Sequence, residues 1–502
     1  MKYSLTLLIG FLGLSGLVCV PHVLSEMSEA RTESLPSTIG LGHINFPTSG
    51  TPEAQRWFLR GVLLLHNFQY DDAKEAFRQA QQLESTFAMA YWGEAMTANH
   101  PLWNEQYLKE GRNILQRLDP NPDTRITKAP TKREQGYRRA VEALYAEGSK
   151  STRNHAYLVA MRQLSEEFPD DLEAAAFHAL AILGSTQGKR DAATYMKAAA
   201  IAEEVYRHNH KHPGAVHYLI HSYDDPIHAP LGLHAARIYS SLAPVASHAQ
   251  HMPSHIFMAL GMWPDVITAN EAAWASSEAR IQRKGLTIKA RPYHTLKWLL
   301  YAYLQAGQMK EAQRVLHMIQ TDAQQTQSRY ARGYYASMRA LYIIETQEWD
   351  VRHLSEDRSD LRFSFAASEL FAIGMSAVKR HNLPTAKQAL DLLNKRIDPQ
   401  HSTSLSQDEV AGLSMAKELE ALILLQESQS EKALTVLHEA VALEDSLPYD
   451  YGPPIPIKPT HELLGEVYLQ LNQPDKAREE FQHALKRAPK RRLSLMGIGE
   501  TP

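Results

Sequence analysis

Apolar residues fall at helical spacing in paired segments of this chain, with polar residues on the faces between them. In THELLGEVYLQLNQPDKAREEFQHALKRAP, Leu464 and Tyr468 share one face, and Ala477, Phe481 and Ala484 share a face further on. Spacings of three and four predict a helix, a short turn and a second helix. RWFLRGVLLLHNFQYDDAKEAFRQAQQL repeats the arrangement near the other end, with Trp57, Gly61, Ala73, Phe77 and Ala80 in matching places. Leu299, Tyr303 and Ala312 carry a weaker version, and further helix pairs are predicted around residues 363–397 and 406–443. No stretch combines sustained apolar alternation with hairpin signals, so no sheet domain is expected. Small residues let paired helices approach closely, and stacking buries the stripe that a single pair leaves exposed.

Both terminal units resemble the tetratricopeptide repeat, a helix-turn-helix unit of about 34 residues. In the last unit only the usual opening Trp is replaced, by His461, and Pro489 terminates it. The chain also carries His212–Asp224 (HPGAVHYLIHSYD), His248–Phe257 (HAQHMPSHIF) and Gly452–Glu466 (GPPIPIKPTHELLGE). With these segments it resembles a group of bacterial exported repeat proteins over nearly its whole mature length. The resemblance implies a fold and an organisation, and it assigns no reaction. The expected fold is therefore all-α, an alpha-solenoid of tetratricopeptide-like repeats over residues 51–488. Pro36, Gly40, Pro47 and Gly50 suggest an extended arm at 26–50, residues 120–135 read as a charged linker, and 489–502 as a tail.

The first residues differ in character. Lys2 precedes a mostly apolar run from Leu7 to Val20, and Val23-Leu24-Ser25 offers a small residue for cleavage, so residues 1–25 read as a signal peptide. The run is shorter than the roughly 20 residues of a bilayer span and ends at Pro21, so no stable membrane span is expected after cleavage. The mature protein is expected in the periplasm or outside the cell. Cys19, the single cysteine, lies inside this segment and lacks the small preceding residue of a lipid-modified cysteine. The mature chain would thus hold itself without disulfides, and a metal site would need His, Asp, Glu, Tyr or backbone oxygen. A net charge of -3 gives no field that gathers nucleic acid. The basic run Lys486, Arg487, Lys490, Arg491 and Arg492 reads as a helix end that complements the dipole and solubilises a capping unit. A protein, peptide or small molecule in the concave groove is the expected partner.

Ten of the 24 histidines lie between His208 and His255, a density that helix propensity does not explain. His217, His221 and Asp224 are four and three apart, one face of a helix that Pro213 can open and Pro226 follow. His248, His251 and His255 are three and four apart, but Pro253 either starts a helix there or kinks a longer one. Read as first helices of adjacent repeats, the two segments would be neighbours. Neutral imidazoles converging from them with the Asp224 carboxylate, joined by His294 at the start of the next unit, meet the ligand needs of Zn or Cu. The competing reading gives each ring a packing and hydrogen-bonding role beside Tyr218, Tyr223 or Tyr239.

Other histidines carry weaker signals. His208, His210 and His212 read as solvated residues at a helix end, His228 and His234 as flanks of the next helix, and His66 and His100 as members of apolar faces. Glu94 and His178 reach the centre only if the solenoid curls. His461-Glu462 opens HELLG, but Gly465 stands where HExxH needs its second histidine, and the pair reads as a solvated first helical turn. There is no GxxxxGK[ST], no GxGxxG after a strand and no GxSxG. Two functions follow: a binding scaffold with groove residues such as Tyr218, Trp298 and Tyr301, or a metal-dependent enzyme built on the histidine cluster.

Overall fold

The computed structural model describes residues 37–186, 190–349, 360–397, 405–449 and 451–499. The expected signal peptide and Cys19 lie outside them. The chain is an all-α solenoid of antiparallel helix pairs. Pro52–His66 packs on Tyr70–Leu83 at one end and Thr460–Gln470 on Pro474–Arg487 at the other. Among the described residues the strand content is a two-residue bridge, Asn99–His100 with Glu105–Gln106.

The repeat consensus has a visible cause. A Cβ on Gly61 would sit 2.6 Å from the Phe77 ring and one on Gly465 3.0 Å from Phe481, so both positions bring a backbone against an aromatic of the facing helix. Proline opens several helices where no N–H is required, as at Pro52, Pro213 and Pro474.

Two expectations are corrected. Residues 120–135 contain the helix Pro122–Thr127 and the start of Lys132–Leu144. Their charges have work inside the fold: Asn121 caps the first helix, Thr131 and Glu134 form a capping box on the second, and the buried Arg125 meets Glu142. Residues 489–499 are also more than a tail, because Arg492–Gly497 is helical and Arg491 is fully buried.

Long-range contacts bend the array. The segment at 37–51 is extended, buries Leu41, Ile44 and Phe46, and His43 N–H donates to the Lys211 carbonyl at 2.8 Å. Arg280 reaches Asp72 of the first unit at 2.7 Å. From the far end, the Lys490 carbonyl accepts from Trp263 Nε1 at 3.0 Å, and Arg491 reaches the Tyr301 hydroxyl at 3.0 Å. First, middle and last units therefore surround the histidine-rich helices. No helix of the described residues is long and apolar enough to cross a membrane.

Candidate metal centre

Pro213–Ser222 begins at His212, whose Nδ1 accepts the Ala215 N–H at 3.1 Å. One turn apart inside it, His217 and His221 project together. The second group follows the kinked alternative. Ser247–His251 ends at Met252, which keeps helical angles (φ −55°, ψ −38°), and Pro253–Ala259 continues directly. Pro253 removes one backbone donor without turning the chain away, so the His248, His251 and His255 rings remain in sequence, 6.2 and 5.0 Å apart. His294 enters from Tyr293–Gln305, its ring 4.9 Å from His251.

The rings converge in two trios, His217 with His221 and His248, and His251 with His255 and His294. Within each, one ligand atom from every residue lies within 4.8 Å of the other two. The Nε2 of His217 is 3.2 Å from that of His221 and 3.1 Å from that of His248, and the Nε2 atoms of His251 and His255 are 3.2 Å apart. Nitrogens held at 2.0 to 2.1 Å around a tetrahedral ion are about 3.3 Å apart, so these spacings fit the edges of such a site.

Hydrogen bonds behind the rings decide where the lone pairs point. His217 Nδ1 lies 2.7 Å from the His66 carbonyl, which can only accept, so Nδ1 carries the proton. His251 Nδ1 faces Asn270 Oδ1 at 2.6 Å, and that amide's nitrogen donates to the Val266 carbonyl. His255 Nδ1 faces Asp224 Oδ2 at 2.5 Å. The neutral rings of His217 and His251 thus present a bare Nε2 to their trios, and such hydrogen bonds at Nδ1 are the outer arrangement that orients metal-binding histidines. Burial pushes the pKa of His217, His221, His248 and His251 well below the ordinary value, and neighbouring imidazoles push the same way. His294 is pushed down to about 3, by burial first and then by His255 and Lys297. These rings are neutral near pH 7, the form that ligates.

Asp224 stands behind His255, its Oδ2 engaged by the ring and its buried Oδ1 without a hydrogen-bond partner. Phe68 packs on His217 at 4.3 Å and Trp103 on His248 at 5.9 Å, while Trp298 and Tyr451 cover His255 at 4.3 and 5.2 Å. A cavity of about 120 Å³, bordered by Asp224, His255, Trp263, Tyr301, Tyr449 and Tyr451, adjoins the second trio. By the roughly 30 Å³ share of a liquid water, it has room for a few waters or one small organic molecule.

A third cluster has the opposite logic. His66 and His212, both fully buried, hold the two oxygens of Glu173 at 2.7 and 3.1 Å. Each donates Nε2–H, while Nδ1 of His66 accepts from Tyr218 and Nδ1 of His212 accepts from Ala215. Every ring nitrogen is used, so this group is a closed network with no lone pair for a metal. Burial raises the Glu173 pKa, but the two imidazoles outweigh it and hold the carboxyl at about 2. The solvated role expected for His212 is therefore corrected: its donor is spent on a buried carboxylate from another helix.

Other candidates lie elsewhere. His208 is exposed and bonds the Glu204 carbonyl, His228 bonds Asp225, and His234 bonds the Leu231 carbonyl. His100 stacks on Tyr70 at 3.9 Å, and Glu94 is taken by Arg78 and Gln81. His178 belongs to no converging ligand set among the described residues. The solvated reading of His461-Glu462 is corrected too. Glu462 is fully buried, paired with Lys458 at 2.8 Å and with Arg491 at 2.7 Å, and His461 meets Glu480 at 2.5 Å. Tyr218, Trp298 and Tyr301 are almost completely buried, so they build walls and offer no open groove surface.

Two segments, residues 54–87 and 459–491, match models of the tetratricopeptide repeat. No curated protein sequence matches the chain. Solved structures with a similar trace include the APC/C hetero-tetramer Cut9-Hcn1, at 11% identity over 89% of this chain and 76% of that one, with a TM-score of 0.38. Yeast Tom70 aligns at 12% identity over 89% of this chain and 94% of its own, with a TM-score of 0.33. The Rap protein complexed with Competence and Sporulation Factor aligns at 12% identity over 79% and 98%, with a TM-score of 0.37.

Proposed function

Because this chain is a tetratricopeptide-repeat protein whose middle helices carry converging imidazoles, we propose that it is an exported binding scaffold with a metal centre at its heart. Its concave side would take a protein, peptide or small ligand, as helix-pair solenoids commonly do. His217, His221, His248, His251, His255 and His294 would supply the ligands for zinc or copper, with Asp224 orienting His255 from behind. The observation that carries the reading is the buried, facing pair of ring nitrogens of His251 and His255, 3.2 Å apart with His294 converging on them. Two acceptors at that distance repel unless a positive centre lies between them.

The donor set fits the metal class. Imidazole suits both zinc and copper, the mature chain offers no thiolate, and the ring orientations are fixed by a carbonyl, an amide and a carboxylate. The test is elemental analysis of the purified mature protein after mild dialysis and resupply, beside a His217→Ala/His251→Ala variant. Stoichiometric zinc or copper in the wild type and loss in the variant is the expected result; only trace metal in the wild type refutes the reading.

The cavity beside His255 favours a second reading, a metal-dependent enzyme. A bound metal of this class would supply Lewis-acid activation of water or a substrate oxygen. The chain's own part would be to admit a small molecule past Tyr451, exclude bulk water with Trp298 and Trp263, and offer Asp224 Oδ1 as an acceptor for its proton.

A further inference from the structure

The six histidines do not form one nest. Each trio closes within 4.8 Å, and no converging set joins all six. A tetrahedral ion has four positions, so one ion leaves at least two of these imidazoles unused. The trios share one helix and differ in the rest: His217 and His221 come from Pro213–Ser222 and His248 from Ser247–His251, which also gives His251 to the second trio, where His255 comes from Pro253–Ala259 and His294 from Tyr293–Gln305. Their outer hydrogen bonds differ, the His66 carbonyl behind His217, and Asn270 and Asp224 behind His251 and His255, while Asp224 also converges with His221 and His255 at the seam between the trios. Yet the trios touch, for the His221 and His255 rings are 5.4 Å apart and the His248 and His251 rings 6.2 Å.

We infer that the centre is dinuclear, with one zinc or copper ion on His217, His221 and His248 and a second on His251, His255 and His294. The inference rests on the metal-centre reading above and adds the number and division of the ions. Three imidazoles per ion leave each with an open position, the ligand count of sites that bind a substrate or water. The cavity borders His255 and Asp224, so the second ion is the one a small molecule in it would meet first. Within the pair, Asp224 is a positioning residue for His255.

The stoichiometry is the measurement. Metal-free mature protein is titrated by calorimetry with Zn(II) and separately with Cu(II), and the dialysed product is weighed for metal per chain. The single variants His248→Ala and His294→Ala, each removing one ligand from one trio, are treated alike, with helical circular dichroism verifying that they fold. Two ions per wild-type chain, falling towards one in each single variant, is the expected result. One ion in the wild type overturns the dinuclear inference while leaving the metal centre standing; none overturns both. Two ions unaffected by either variant place the metal elsewhere and overturn the inference. If both variants lose helical content, His248→Gln and His294→Gln, which keep a neutral polar side chain, are read in the same way. If one ligand loss empties both sites together, the trios are not separate and the stated division fails.

Discussion

The Nε2 atoms of His251 and His255 face each other at 3.2 Å, although each ring has a hydrogen-bond acceptor at its Nδ1. Only a proton or a metal ion reconciles the pair. With a proton on one Nε2, that nitrogen donates to the other; with a metal, both rings donate lone pairs. The two states compete, so metal binding weakens as pH falls. Asp224→Asn removes the negative charge behind His255 and is expected to weaken zinc binding about 10- to 100-fold, measured by competition with a chelator of known affinity.

Acid should destabilise the metal-free protein. His217, His221, His248, His251 and His294 all have folded pKa values below the ordinary histidine value, whereas in the unfolded chain they titrate near it. Below that value the unfolded state binds more protons, so their stability contribution is present above about pH 6.5 and is lost as pH falls. Together the rings should make urea unfolding stability at pH 7.5 exceed that at pH 5.5 by several kcal/mol. Equal midpoints at the two pH values would contradict neutral buried rings.

Glu173→Gln separates structure from metal. The amide presents a donor where His66 or His212 also presents one, leaving a buried N–H without an acceptor. The expected loss is about 1–3 kcal/mol in urea unfolding, with the metal content of the folded protein unchanged. A drop in metal content would show that this network is coupled to the centre.

Arg491 tests the closure of the array. It is fully buried and meets Glu462, Glu345 and Tyr301, residues that the sequence separates widely. Arg491→Ala leaves two buried carboxylates short of their cation and should cost about 3–5 kcal/mol. A loss below about 1 kcal/mol, the range of exposed pairs, would show that the pairing is not held in solution.

Trp298 provides an optical readout, packed 4.3 Å from His255 and 5.0 Å from His251. Cu(II) bound by the second trio should quench part of the tryptophan emission. Trp298→Phe should remove much of that quenching while calorimetry still records binding. Quenching of the same depth in the variant would place the copper away from His251 and His255.

The terminal repeats were legible because Gly61 and Phe77, or Gly465 and Phe481, are local partners set by one helix pair. The same local spacing brought His217 with His221 and His251 with His255. The remaining features depend on partners that spacing does not encode. His212 looks solvated until Glu173 arrives from another helix, and Arg491 looks like one cation in a basic run until Glu345 closes on it from 146 residues away. Asn270 carried no signal at all, since its importance lies in one carbonyl oxygen behind His251. Residues 120–135 were misread because charges that serve capping and a buried pair have the composition of a linker.

The contact between Trp263 and the Lys490 carbonyl spans 227 positions of the chain. A solenoid stabilised only between neighbours tolerates gain or loss of a unit, because each repeat answers only to the next. Here a duplication or deletion between those two residues would shift the far edge by a whole helix pair and leave Tyr451 out of register with the His255 ring it now covers, and Arg491 with Tyr301. Repeat number in this stretch is thereby fixed as firmly as a side chain, and lineages of the protein should vary in their turns and surface faces while keeping the count.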